Sequence, residues 1–168
     1  IISWPGKAWA KRVFPDLNEQ DSVKKLGDAI FHASRVSTDD PVAEWDAHNK
    51  NLREKTNWLN SMNFSSLLYD GPGTNLEVGL ADDHEWMGGA SQSQNGIICN
   101  PNIPSEEVFT TPHALKVNGK VCSTKPLSYQ GTLIEDIKVE FKDGKIINAR
   151  STKGENVLLK VLDSDEGS

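Results

Sequence analysis

The sequence predicts an α+β fold, with N-terminal helices followed by a mainly antiparallel β-sheet with hairpins and a C-terminal helix. Three observations predict it: apolar residues recur at helical spacing through residues 1–62, short alternating runs separated by turn-rich pieces replace them after Asn63, and Asp143-Gly144 stands between two such runs as a hairpin turn. Helices gathered before strands argue against a doubly wound parallel sheet. The division expected is a helical segment, 1–62, and a β-rich part, 63–168.

Each element has its own signal. Lys7 to Val13 reads as a short helix stopped by Phe14-Pro15, because proline disfavours helical backbone at the residue before it. Asp21 reads as the cap of a second helix carrying Val23, Leu26, Ile30 and Phe31 on one side. Asp40 before Pro41 forms an N-cap and first-turn pair, and Val42, Trp45, Leu52 and Leu59 follow at helical spacing. His48 lies beside that stripe and reads as a packed or hydrogen-bonded histidine, since one imidazole alone seldom makes a metal site.

Beyond Asn63, the runs FSSLLYDG, NLEVGLA and NGIICN are separated by DGPGT and GGASQS. LKVNGKVCST then reads as a hairpin turning at Asn118-Gly119, and IEDIKVEFKDGKIINARS as a second turning at Asp143-Gly144. In the second, Ile137, Val139 and Phe141 alternate with Lys138, Glu140 and Lys142, giving one core face and one solvent face. Val157, Leu158, Val161 and Leu162 make Gly154 to Leu162 a closing helix.

Composition narrows the function classes. A chain of 168 residues fits one domain of ordinary size, or one with a helical appendage. Its formal charge of -6, from 24 acidic and 18 basic residues without a long basic block, argues against nucleic acid as a partner. No apolar run approaches the ~18 residues of a membrane span, so a soluble chain with no membrane partner is expected. The two cysteines, Cys99 and Cys122, share no ligand spacing and fit a reducing, cytoplasmic compartment. Asn63-Phe64-Ser65 matches a glycosylation triplet but has no export signal beside it. The opening at Ile1 and the close at DSDEGS suggest a fragment of a larger protein.

Few stretches could carry chemistry. Asp82-Asp83-His84-Glu85 reads as a solvated loop, because adjacent side chains rarely converge on one ion. DSDEG lacks the carboxylate ladder of a calcium loop. Tyr129 reads as a strand packing residue, and no phosphate loop or nucleophile triad is present. The remaining stretch is NIPSEEVFTTP, residues 102–112, with Glu106 and Glu107 adjacent. In extended backbone, successive side chains diverge, so one glutamate is expected to point inward, where an unpaired charge would need a partner, a metal or a proton. The residues leave two readings open: a surface turn with one tolerated inward carboxylate, which is the plainer, or a site.

The same stretch carries a resemblance. NIPSEEVFTTP, with VNGKVCSTKPLSYQGTLIEDIKVEFKDGKI and GENVLLKVLDSDEG behind it, closely resembles the thermophilic-type metalloaminopeptidases, peptidase family M29, which include aminopeptidase T and the aminopeptidases S. WPGKAWAKRVFPD, PVAEWDAHNKNLREKTNWLN and GLADDHEWMGGAS are similar too, so the likeness runs through essentially the whole chain. It implies a two-metal aminopeptidase, acting as a homodimer, that hydrolyses N-terminal amino acids from peptides with a free N-terminus. The ions implied are two divalent cations among zinc, cobalt, magnesium and manganese, held by two glutamates, two histidines and an aspartate near a catalytic tyrosine.

Of those positions, one falls in this chain. Spacing to the Leu-Gly-Glu motif that normally follows DSDEG maps the first ligand onto Glu107, with Glu106 as a supporting residue behind it. No catalytic residue is assigned within the chain, and His32, His48, His84 and His113 match no ligand position. Residues 63–168 would then be the β-rich part of a catalytic domain, incomplete at its C-terminus, and the isolated fragment is expected to be inactive. The alternative from the residues alone is a non-enzymatic β-rich binding or interaction module.

Overall fold

The structure, a computed structural model, describes residues 1–164. In chain order the elements are α1 (Lys7–Val13), α2 (Glu19–Ala33), α3 (Pro41–Met62), β1 (Ser66–Gly71), β2 (Thr74–Leu80), β3 (Met87–Gly88), β4 (Ser91–Gln92) and β5 (Ile98–Cys99). There follow β6 (Val108–Phe109), β7 (Pro112–Cys122), β8 (Leu127–Tyr129), β9 (Thr132–Ile134), β10 (Lys138–Lys142), β11 (Lys145–Arg150) and α4 (Glu155–Leu162). The α+β class is as the sequence predicts. The chain forms two compact units, one of Ile1–Met62 with Trp86–Phe109, the other of Asn63–Glu85 with the chain from Thr110 onward.

In the first unit, α1 ends at Phe14 as expected, and Lys11 Nζ closes the turn beyond it by donating to Pro15 O at 2.7 Å and Leu17 O at 2.9 Å. The start of α2 differs from expectation. Its cap is Asn18, whose side chain accepts from Asp21 N at 2.9 Å and donates from Nδ2 to Asp21 Oδ2 at 2.6 Å. Asp21 therefore sits inside the first turn, where a carboxylate answers both the helix dipole and the cap. Asp40 caps α3 as predicted, accepting from Ala43 N at 3.0 Å.

The apolar stripe of α3 is unevenly covered: Leu52 is buried, whereas Val42 is 72 % exposed. Leu52 and Asn49 lie against Gly89, which adopts a positive φ just after β3. Asn60 fixes the start of that segment by donating to Trp86 O at 3.1 Å and accepting from Trp86 N at 2.7 Å. β3 pairs with β6, opposing Met87 to Phe109 and Gly88 to Val108, and β4 pairs with β5.

The second unit is built on a five-stranded antiparallel sheet in the order β1-β2-β7-β10-β11. Ile134, Ala149 and Leu158 form its buried cluster, with Tyr129, Ile137, Val139 and Ile146 packed around it. Tyr129 is thus a packing residue, and α4 presents Val157, Leu158 and Leu162 to this cluster as the spacing predicts. The Asp143-Gly144 hairpin is also as predicted, with φ of 49° and 82° at the two turn residues.

The Asn118-Gly119 hairpin does not exist. Residues 112–122 run as one strand, β7, in which Gly119 faces Leu76 of β2 on one side and Phe141 of β10 on the other. The asparagine-glycine pair marks close approach of a neighbouring strand: a Cβ on Gly119 would fall on the Asn75 carbonyl oxygen, and φ is +116°. Asn118 Oδ1 instead accepts from Asp143 N at 2.8 Å, which ties β7 to the genuine turn.

Gly119→Ala is therefore expected to cost at least about 2 kcal/mol, combining positive φ with a backbone clash in a central strand. Chemical denaturation of the variant against the parent protein measures it, and a loss under about 0.5 kcal/mol would contradict the strand assignment.

Candidate functional site

The acidic pair lies in the first unit, in the segment between Pro104 and β6. No regular strand pairs it, so its position depends on side chains from the helices. Glu106 takes a two-pronged ion pair from Arg35, with Nη1 on Oε1 and Nη2 on Oε2, the latter at 2.9 Å. His48 Nε2 lies 2.6 Å from Ser105 O; a carbonyl only accepts, so this nitrogen carries the hydrogen. The same nitrogen is 3.6 Å from Glu106 Oε2. The structural reading of His48 holds: its side chain is 13 % exposed and its ring meets Trp45 edge-on at 5.5 Å.

Arg35 is itself held in place. It follows α2 with a φ of 57°, its guanidinium lies 5.7 Å from the Trp45 ring centroid, and Trp45 Nε1 donates to Ser34 O at 2.9 Å. The corner between α2 and α3 thus presents a fixed cation to Glu106. Arg35 was not legible as a partner, because it stands 71 residues away in sequence with no motif around it.

Glu107 turns elsewhere. It lines a cleft of about 380 Å³ with Asn49, Arg53 and Thr56 of α3, the β3 edge and Phe109. The cleft wall is narrow at Gly88, where a Cβ would stand 2.7 Å from Glu107 O. Within these residues both glutamates are exposed, Glu107 at the cleft. The two side chains do diverge, but toward an ion pair and an open cleft rather than toward solvent and core. Among the described residues, Glu107 has no hydrogen-bond or ion-pair partner.

The other candidates belong to the second unit. Asp82 approaches Lys116 Nζ at 3.7 Å, and His84 Nδ1 lies 3.0 Å from Ala81 O within the turn. Asp163 and Ser164 close α4, and the rest of DSDEG lies outside the described residues. Among the described residues, no group of three or more histidine, cysteine, aspartate or glutamate side chains could hold an ion, and no helix is long and apolar enough to cross a membrane.

The comparisons place the chain among the metalloproteases. The family model for the thermophilic metalloproteases (M29) matches residues 1–168, and the chain belongs to that family. It is 47 % identical over 168 residues to aminopeptidase T of Thermus thermophilus, covering 100 % of this chain and 41 % of the relative. It is 44 % identical to aminopeptidase 2 of Geobacillus stearothermophilus and 39 % identical to aminopeptidase AmpS of Bacillus subtilis, again over 100 % of this chain and 41 % of each relative. The solved structure of wild-type AmpT from Thermus thermophilus superposes with a TM-score of 0.88 at 46 % identity, over 97 % of this chain and 40 % of that one. The chain therefore spans about two fifths of the length of the curated relatives it matches.

The Arg35 hydrogen bonds hold the Glu106 carboxyl below 4.5, the ordinary glutamate value; partial burial opposes them, while the Arg35, His48 and Lys55 charges assist. Because the folded value is the lower one, the stabilisation is present above pH 4.5 and is lost as pH falls through the folded value. The pair is half exposed and screened, so a double-mutant cycle of Arg35→Met and Glu106→Gln is expected to give a coupling of about 0.5–1 kcal/mol at neutral pH. That coupling should vanish in acid, and one that persisted unchanged at pH 3 would contradict the ion pair.

Proposed function

We propose that residues 1–168 are part of a two-metal aminopeptidase in which Glu107 supplies one metal ligand and Glu106 positions it from behind. The observation that carries this reading is the unpaired Glu107 carboxylate in a cleft of a chain belonging to a metalloprotease family. Its curated relatives bear aminopeptidase names, which supports release of N-terminal amino acids from peptides.

The donor set fits a metal in part. A carboxylate is a hard anionic donor suited to zinc, cobalt, magnesium or manganese, and one with no competing partner is free to ligate. The described residues offer no complete set, so the remaining donors come from sequence beyond these residues, as the two-fifths coverage of the relatives allows. A pair of divalent ions would supply water activation and polarisation of the scissile carbonyl.

This chain's own contribution is positional. Arg35 neutralises Glu106, so a second negative charge beside Glu107 does not repel the reacting groups. His48 holds the Ser105 carbonyl, and both contacts fix the backbone from which Glu107 projects. Gly88 leaves room for the Glu107 backbone against β3. A cytoplasmic location accords with the two free cysteines, and a homodimer with the family resemblance.

In the full-length protein, Glu107→Gln is expected to lower kcat by at least about a thousandfold and to weaken binding of one metal ion, whereas Glu106→Gln costs about tenfold. Metal-dependent release of amino acids should occur from unblocked peptides and be absent from N-acetylated ones. A larger loss from Glu106→Gln than from Glu107→Gln, or equal cleavage of both peptide forms, would contradict the reading.

A further inference from the structure

We propose that Arg53 is a specificity-determining residue that binds a carboxylate of the peptide substrate in the cleft beside Glu107. The inference rests on the aminopeptidase reading above and adds to it the chemistry of what the cleft accepts.

Asn49, Arg53 and Thr56 stand at helical positions i, i+4 and i+7 of α3, so one face of the helix lines the cleft opposite Glu107. Two of the three are already engaged. Asn49 exchanges reciprocal side-chain hydrogen bonds of 2.8 and 2.9 Å with Asn100, and Thr56 Oγ1 donates to Arg53 O at 3.0 Å. The Arg53 guanidinium has no ion-pair or hydrogen-bond partner among the described residues. Its neighbours show that this is not for want of opportunity: Arg35 takes Glu106, and Lys50 reaches Glu54 at 3.9 Å on the same helix.

The cleft therefore holds one unpaired cation and one unpaired anion more than 4 Å apart, with Met87 and Phe109 as an apolar edge. Its volume of about 380 Å³ lies near the small end of ligand pockets, roughly 300–1,000 Å³, and suits one or two residues rather than a long extended chain. A short peptide carries complementary charges: an amine at its start, and a carboxylate from an acidic side chain or from its C-terminus. The guanidinium presents a planar fork of donors that matches a carboxylate two-pronged, as Arg35 does with Glu106 in the same unit. A site built for that pairing discriminates against an amide of the same shape, because the fork then loses its charged acceptor.

The test uses the full-length protein and dipeptide analogues whose scissile bond is reduced and cannot be cleaved, with Kd measured by calorimetry. One pair compares the free acid with the C-terminal amide of a neutral dipeptide; the other compares N-terminal Glu with N-terminal Gln, both amidated. The wild type is expected to bind the charged member of at least one pair about tenfold tighter or more. Arg53→Met should bring that ratio to within about twofold of unity, and Arg53→Lys should retain part of it. Collapse in the first pair assigns the C-terminal carboxylate, and collapse in the second the acidic side chain. A wild type with no preference in either pair, or a Met variant that weakens all four ligands equally, would overturn the proposal. Turnover of unblocked peptides is measured separately: no turnover with the preference intact sinks the aminopeptidase reading while supporting the Arg53 site.

Discussion

A segment that presents two adjacent carboxylates without a strand to hold it must take its rigidity from side chains. Here the holding groups are Arg35 and His48, one after the end of α2 and the other within α3. Arg35 grips Glu106 with two prongs, and His48 grips the Ser105 carbonyl one residue earlier. Trp45 stands between these groups, touching both and anchored to the Ser34 carbonyl. With those contacts made, Glu106 is committed to Arg35, while Glu107 lines the cleft. The division of labour between the glutamates is thus imposed by the helix corner.

The same logic explains why Gly88 of β3 and Gly89 just after it matter. Gly88 and Gly89 let the strand pass close to Glu107 and to Leu52 and Asn49 of α3, and a side chain at either place would meet backbone or core atoms. The cleft is therefore walled by backbone on one side and by a polar helix face on the other. Such a cleft keeps the Glu107 carboxylate and the Arg53 guanidinium apart.

Much of the fold was legible because its signals are local. The Phe14-Pro15 stop, the Asp40-Pro41 start, the Asp143-Gly144 turn and the apolar spacing of α4 each depend on neighbours within a few residues. The misreadings arose where a distant partner decided the outcome. Asp21 looks like a cap until Asn18 takes the role three residues earlier. Asn118-Gly119 carries a strong turn signal, yet strands β2 and β10 on either side make it the middle of β7. Glu106 and Glu107 stood out by their adjacency, but nothing nearby in sequence names Arg35 as the partner of one. Arg53 could have been placed by its spacing from Asn49 on the helical wheel, although only the folded chain brings that face to Glu107.

The proposed metal ligand is Glu107 and not the arginine-bound Glu106. That assignment is tested most directly by the metal-loaded crystal structure of the full-length protein, with the ions located by anomalous scattering. The account predicts an ion within about 2.0–2.2 Å of a Glu107 carboxylate oxygen while Arg35 still holds Glu106. An ion ligated by Glu106 in place of Arg35, or a metal centre that leaves Glu107 unligated, would contradict it.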